Sequence, residues 1–258
     1  MKPDKKFFEK IYARYNDREY AFSDPISLVY DYKRPENLEI AAFTASSLAY
    51  GNVKQILKSL SLVFRAMNGS PRSFIEKTPD RVISRTFLNF KHRFTTGAEL
   101  SIFLLNVKKA LKKHGSLQDL FLKHYGEREK DLSGSIYGFI NEFNSLACAP
   151  TLTPCPEKKS SFKRFNLFLR WMVRKDSIDL GVWEKVSPSK LIIPLDTHMH
   201  AVSKELGITA RNDTSMRTAL EITDFFRRIN PEDPVKYDFS LTRAGILKNF
   251  GRGRGITS

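Results

Sequence analysis

The chain has 258 residues, enough for one large domain or two small ones, and 41% of them are hydrophobic. Forty-three Lys+Arg against 28 Asp+Glu leave a net charge of +15, a balance that favours nucleic acid or an anionic membrane surface as the partner. There is no apolar run of about 18 residues to span a bilayer and no apolar segment behind Met1–Lys6 to form a signal peptide. These features point away from the membrane, and the expectation is a cytoplasmic, nucleoid-associated protein that meets DNA and needs no obligate protein partner.

Helical periodicity dominates the chain. Phe7, Phe8, Ile11, Tyr12 and Tyr15 form a first apolar stripe at helical spacing. An alanine-rich helix is predicted from Leu38 to Tyr50, ending at Gly51. Val53, Ile56, Leu57, Leu60, Val63, Phe64 and Met67 form a longer stripe. Leu100, Phe103, Leu104, Val107 and Leu111 form the next, stopped by Gly115 as a helix C-cap would stop it. Ile136, Phe139, Ile140 and Phe143 follow. Residues 149–157 hold Pro150, Pro154 and Pro156, so this stretch is a loop or hinge. The final helices are predicted over Met216–Arg228 and Pro234–Leu247, and the tail 249–258, with alternating Gly and Arg, is expected to be mobile. Alternating strand patterns are absent apart from the brief run Lys190–Ile193. The fold class is all-α.

Cys148 and Cys155 flank the proline-rich loop, and in a reducing compartment they are expected to be free thiols, with a disulfide as the alternative. Two sulfurs with no nearby histidine cannot close a zinc tetrahedron, so no metal and no cofactor is expected.

Seven cations crowd residues 158–175: Lys158, Lys159, Lys163, Arg164, Arg170, Arg174 and Lys175, with no acid among them. Lys163, Asn166, Arg170 and Arg174 fall at steps of three, four and four, which is one face of a helix. Phe162, Phe165, Phe168, Leu169 and Met172 cover the other side. A face of one sign attracts phosphate, whereas ordinary surface helices mix signs. Lys163 opens this helix. Neighbouring cations and the positive helix end both disfavour its protonation, which makes a free amine available as a nucleophile.

Asp196 stands in Ile193–Pro194–Leu195–Asp196–Thr197–His198, before a short amphipathic helix that ends near Gly207. Capping alone explains an aspartate there. A carboxylate held by helix N–H groups also stays ionised and fixed in direction, as a catalytic carboxylate should. His198 and His200 are two apart, not the i, i+4 spacing of a metal pair. They read as packing or phosphate contacts.

Pro194–Leu195–Asp196–Thr197–His198, followed by Val202 and Glu205–Leu206–Gly207, resembles the helix after the hairpin in the helix-hairpin-helix DNA glycosylase superfamily. The Lys163-to-Asp196 spacing, with the lysine opening an aromatic-rich helix, is nearer in style to the archaeal GO glycosylases. The segments Asp24–Pro25, Ala49–Asn52, His92–Phe94, Arg170–Arg174 and Asp233–Phe239 also look like those of a bacterial family of uncharacterised proteins sharing this core. The resemblance implies a single all-helical domain over 1–258 in two lobes. It also implies Lys163 as nucleophile and Asp196 as the catalytic carboxylate. The chain departs from the pattern in lacking the Leu-Pro-Gly-Val-Gly hairpin, so either an atypical turn around Lys175–Trp183 replaces it or DNA is gripped differently. The four-cysteine cluster of endonuclease III is missing too.

The reading is then a DNA base-excision glycosylase and abasic-site lyase acting on duplex with a damaged base, an oxidised purine among the candidates. The damaged nucleotide would be flipped into a pocket, with Trp171, His92 and Tyr50 as the candidate pocket lining. Lys159, Arg164, Arg170, Arg174, Lys175 and His198 are the candidate DNA contacts. The alternatives are a monofunctional glycosylase using Asp196 alone and a non-catalytic DNA- or RNA-binding protein.

Overall fold

Twelve α-helices and one two-stranded hairpin form the regular structure among the described residues of the protein, a computed structural model that describes residues 3–154 and 161–247. The all-α expectation holds: the structure is 59% helical. No helix among the described residues is long and apolar enough to cross a membrane. The chain divides into two compact units, Met1–Tyr20, Lys159–Gly181 and Ser187–Ser258 in one, Ala21–Lys158 and Val182–Val186 in the other.

The first unit contains α1 (Lys5–Tyr15), α9 (Lys163–Val173), α10 (Thr197–Glu205), α11 (Met216–Ile229) and α12 (Asp238–Ile246). Helix α12 packs against both α1 and α10. Phe8 of α1 is fully buried and meets Phe226 edge-on at 5.2 Å and Tyr237 at 5.5 Å. Helix α12 starts four residues later than the predicted Pro234, because Asp233–Tyr237 forms turns in which Lys236 N–H donates to Asp233 O and Asp238 N–H to Val235 O. The run Lys190–Ile193 is not a strand. Pro188–Lys190 makes a 3₁₀ turn, and Ile193 N–H donates to the Thr223 hydroxyl at 3.0 Å, with no strand beside it.

The second unit contains α2 (Pro35–Ser47), α3 (Val53–Ala66), α4 (Pro71–Lys77), α5 (Asp80–Thr86), α6 (Gly97–His114), α7 (Leu117–Lys123) and α8 (Ser133–Phe143). Between α5 and α6, β1 (Lys91–His92) pairs antiparallel with β2 (Thr95–Thr96). Every residue of α2 from Asn37 to Ser47 is buried, and among the polar ones Glu39 and Asn37 meet hydrogen-bond partners. Phe43 in its middle contacts Phe103 at 5.0 Å and Phe143 at 5.1 Å. Thr96 and Glu99 form a reciprocal capping box at the start of α6, and Gly115, at φ +91°, ends it.

Of the proline-rich loop, Ala149–Pro154 is described. It is tied down by hydrogen bonds from Thr153 Oγ1 to Asn144 Oδ1 and from Asn144 Nδ2 to Pro154 O. Cys148 is disulfide-bonded, which corrects the free-thiol expectation for that residue: a compartment argument concerns the medium, not the reach between two sulfurs. Cys155, Lys158, Lys159 and the tail 249–258 lie outside the described residues.

One carboxylate joins three parts of the second unit. Glu39 of α2 accepts hydrogen bonds from Leu117 N and Gln118 N, the first amides of α7, and from Trp183 Nε1, each at 2.9 Å. Burial raises its pKa, against the pull of these three donors. Glu39→Ala leaves three donors unmatched, two of them buried and the Gln118 amide part-buried. Since each buried unmatched donor costs about 1–3 kcal/mol, urea unfolding at neutral pH should show a loss of about 3 kcal/mol. Trp183→Phe, which removes one donor and leaves Glu39 its other two, should cost clearly less.

Candidate active site

Lys163 is the first residue of α9 and is half-buried. Among the described residues it has no ion pair. Phe162 ahead of it has φ +49° with its ring buried. A left-handed non-glycine residue costs on the order of 1–3 kcal/mol, and such strain gathers at functional sites. One turn into the helix, Asn166 is buried. Its Nδ2 donates to Ser161 O at 3.0 Å, while its Oδ1 is buried without a partner.

Asp196 caps α10 from an extended backbone, and its Oδ1 accepts from Met199 N at 2.7 Å. The residue is half-buried, so the carboxylate is oriented yet reachable. The capping expected of it is present, and capping does not use up its second oxygen. Lys163 and Asp196 belong to the same compact unit.

The basic face of α9 differs from its expectation. Arg170 and Arg174 are buried, not solvent-facing. Arg170 Nη1 donates to Asp238 Oδ2 at 2.5 Å and its Nε to Asp179 Oδ1 at 3.2 Å. Arg174 Nε donates to Asp233 at 2.9 Å, and its Nη1 pairs with Asp179 and, at 3.0 Å, with Asp176. Tyr12 of α1 donates to Asp176 Oδ2 at 3.0 Å. Two guanidiniums thus face four carboxylates, and the one-sign field predicted for this face is absent. Neither arginine is open to DNA phosphate.

The titrations follow from this crowding. Burial pushes Asp238 up to about 6, with Asp196 and Asp179 adding to the rise and Arg170 opposing it. Burial likewise raises Asp179, although Arg170 and Arg174 pull it down. Asp176 ends below the ordinary range because Arg174, two amide donors and the Tyr12 hydroxyl outweigh its burial.

The turn after α9 stands where a glycine-rich hairpin was sought. Leu180 N and Gly181 N both donate to Trp171 O, at 2.8 and 3.1 Å, and Asp176 Oδ1 takes the amides of Ile178 and Asp179 at 2.8 Å. Gly181 has φ +62°, and a Cβ there would lie 2.4 Å from that of Lys175. The turn therefore spends these amides on itself and leaves none of them for a phosphate.

The other predicted contacts separate. Lys175 and His198 are exposed and Arg164 is half-buried, all three in the first unit. His200, set aside as packing or phosphate contact, bonds Arg211 O through Nε2 at 3.0 Å. Trp171 is fully buried and shows no face to a base. Tyr50 and His92 belong to the second unit, and both are taken up in holding the β1–β2 hairpin. His92 is buried, with Nε2 donating to Tyr50 O at 3.0 Å and Nδ1 bonded to Ser59 Oγ at 2.9 Å. The Tyr50 hydroxyl meets His92 O at 2.8 Å, Thr95 Oγ1 at 2.6 Å and Thr95 N at 3.1 Å. No group of acidic, histidine or cysteine side chains among the described residues could hold a metal ion.

A family model described as Protein of unknown function (DUF2400) matches residues 24–247. No curated protein and no solved structure matches the chain.

Two stability measurements test the buried network. Removing one partner of a buried pair costs about 3–5 kcal/mol, so Arg174→Ala should unfold at markedly lower denaturant. Lys175→Ala, on an exposed neighbour, should stay within about 0.5 kcal/mol of the parent. Asp238 has a folded pKa of about 6, above the ordinary carboxyl value of about 3.9. The native state then holds this proton more tightly than the unfolded chain, so its contribution becomes less favourable as pH rises from about 4 to 6, and the loss is complete above that window. The difference in melting temperature, Asp238→Asn minus parent, should therefore grow between pH 4 and pH 7.

Proposed function

The chain belongs to the DUF2400 family of proteins of unknown function, and from that premise we propose that it is a DNA base-excision glycosylase of the helix-hairpin-helix type, with lyase activity at abasic sites. The observation that carries the reading is a half-exposed lysine with no ion pair among the described residues and an oriented, half-exposed aspartate in one compact unit. Each stands at the start of its own helix. The strained Phe162 backbone and the unmatched Asn166 Oδ1 beside Lys163 support a site there over plain surface.

In this mechanism the Lys163 amine attacks the sugar carbon that bears the damaged base. The glycosidic bond breaks, the base leaves with its electron pair, and the amine passes a proton to Asp196 or to water. The Asp196 carboxylate also stabilises the positive charge that develops on the sugar. Opening of the sugar ring leaves an imine, from which elimination releases the 3′ phosphate. Charge supports the partner: the chain carries +15. With Arg170 and Arg174 neutralised inside the unit, phosphate contacts fall to exposed cations such as Lys175.

A panel of duplexes, each with one modified base, tests the proposal in the presence of borohydride. The parent should release one base and leave a covalent protein–DNA adduct. Lys163→Ala should bind DNA but form no adduct. Asp196→Asn keeps the capping oxygen and should bind DNA while losing base release by at least about 100-fold. Base release without an adduct would identify the carboxylate-only enzyme. Silence across the panel from a protein that still binds DNA would leave a binding protein.

A further inference from the structure

The hairpin that Tyr50 and His92 hold carries a largely exposed aromatic ring on a rigid mount. Its two-residue loop is Arg93–Phe94, with His92 paired to Thr95 and Lys91 to Thr96. Phe94 is 72% exposed. Arg93 takes φ +51°, where hairpin loops ordinarily use Gly, Asn or Asp. Its guanidinium carbon lies 5.4 Å from the centre of the Phe94 ring. The loop is not slack. Ser59 and the Tyr50 carbonyl fix the His92 ring, and the Tyr50 hydroxyl spans both strands. Thr95 Oγ1 continues to Thr151 Oγ1 at 2.8 Å, which in turn donates to Glu99 at 3.0 Å. Arg93 lies across Gly51, where a Cβ would come within 2.5 Å of Arg93 Cδ. Gly51, at φ +95°, therefore leaves room for the arginine stem.

A strained backbone and a solvated phenyl ring are both unfavourable in the isolated protein, and a dense hydrogen-bond network keeps them in place. The charge around them names the partner. Residues 81–98 contain Arg81, Arg85, Lys91 and Arg93, all exposed, and no acidic residue. Glu99, the acid at the base of the hairpin, is taken up by Thr96 N and Thr151, and an aromatic face beside a guanidinium, with further cations in the same stretch, matches a nucleobase joined to its phosphates.

We propose that the Arg93–Phe94 tip is a stacking contact for an unpaired base, so that the second unit prefers single-stranded or locally unpaired nucleic acid to intact duplex. This rests on nucleic acid being the partner, but not on any role for Lys163 or Asp196. Phe94 supplies the ring, Arg93 a planar cation above the same base, and Lys91 a phosphate contact.

The test uses the full chain and three fluorescent oligonucleotides: a perfect duplex, the same duplex with a one-base bulge of 2-aminopurine, and a single strand. The parent should bind the bulge and the single strand more tightly than the duplex, and stacking should quench 2-aminopurine. Phe94→Ala should lose roughly five- to 100-fold on bulge and single strand, the scale of one base–aromatic stack, with little change on duplex. Phe94→Trp should restore both affinity and quenching. Because Phe94 is exposed, its melting temperature should not move, which keeps a folding defect from imitating the result. Equal binding of all three probes by parent and Phe94→Ala would overturn the stacking role and leave the DNA reading standing. No binding of any probe by the parent at low salt would overturn both.

Discussion

Two arginines, one on α9 and one capping its end, and four aspartates from three later stretches of chain form the joint on which the first unit depends. Arg170 and Arg174 reach the turn after their own helix through Asp176 and Asp179, the loop before α12 through Asp233, and α12 itself through Asp238. Tyr12 brings α1 to the same cluster. Buried ion pairs add little net stability compared with apolar packing, but breaking one is severe. Their effect here is directional. They fix how the chain leaves α9, and so the course it takes toward Asp196 at the head of α10. The carboxylates outnumber the guanidiniums, so the cluster has an appetite for a proton, met at Asp238 beside the proposed catalytic carboxylate.

The second unit uses buried polarity in the same way. Glu39 ties the start of α7 and the indole of Trp183 to the central helix α2. Tyr50 and His92 tie the hairpin to α3 through Ser59. In each case a polar side chain in an apolar setting has its donors and acceptors matched, and each link becomes a hinge that cannot turn. Rigid mounting of this kind is what a recognition element needs, because less order has to be bought at the moment of binding.

The sequence disclosed the long elements well and the charge pattern badly, for one physical reason. A stripe over three or four turns, as in α3 or α6, is local information, and its helices lie where the stripes predicted. Helices α4, α5 and α7 have seven residues each, too short for a period to declare itself, and the hairpin strands have two. The fate of Arg170 and Arg174 was not local. Their countercharges Asp238 and Asp233 are 68 and 59 residues away. A window of cations without acids looked like a solvent face because the acids were elsewhere in the chain. Asp176 and Asp179, just past the window, were the signal that could have warned of it. Tyr50 and His92 stood in the sequence as separate candidates for a pocket lining, since a 42-residue separation hides their mutual hydrogen bond.

Helix α1 lies before the stretch that the family shares, which starts at residue 24. Yet Phe8 is enclosed by Phe225, Phe226 and Tyr237, and Glu9 bonds Lys236 and Tyr237. Helix α1 thus waits for partners that lie 227 and 228 residues further along the chain. At about 5–20 residues per second, its partners appear some tens of seconds after it does. Meanwhile the second unit, nearly all of it one unbroken stretch, can finish folding. During that interval Phe8, fully buried in the finished unit, lacks the rings of Phe225, Phe226 and Tyr237 that enclose it.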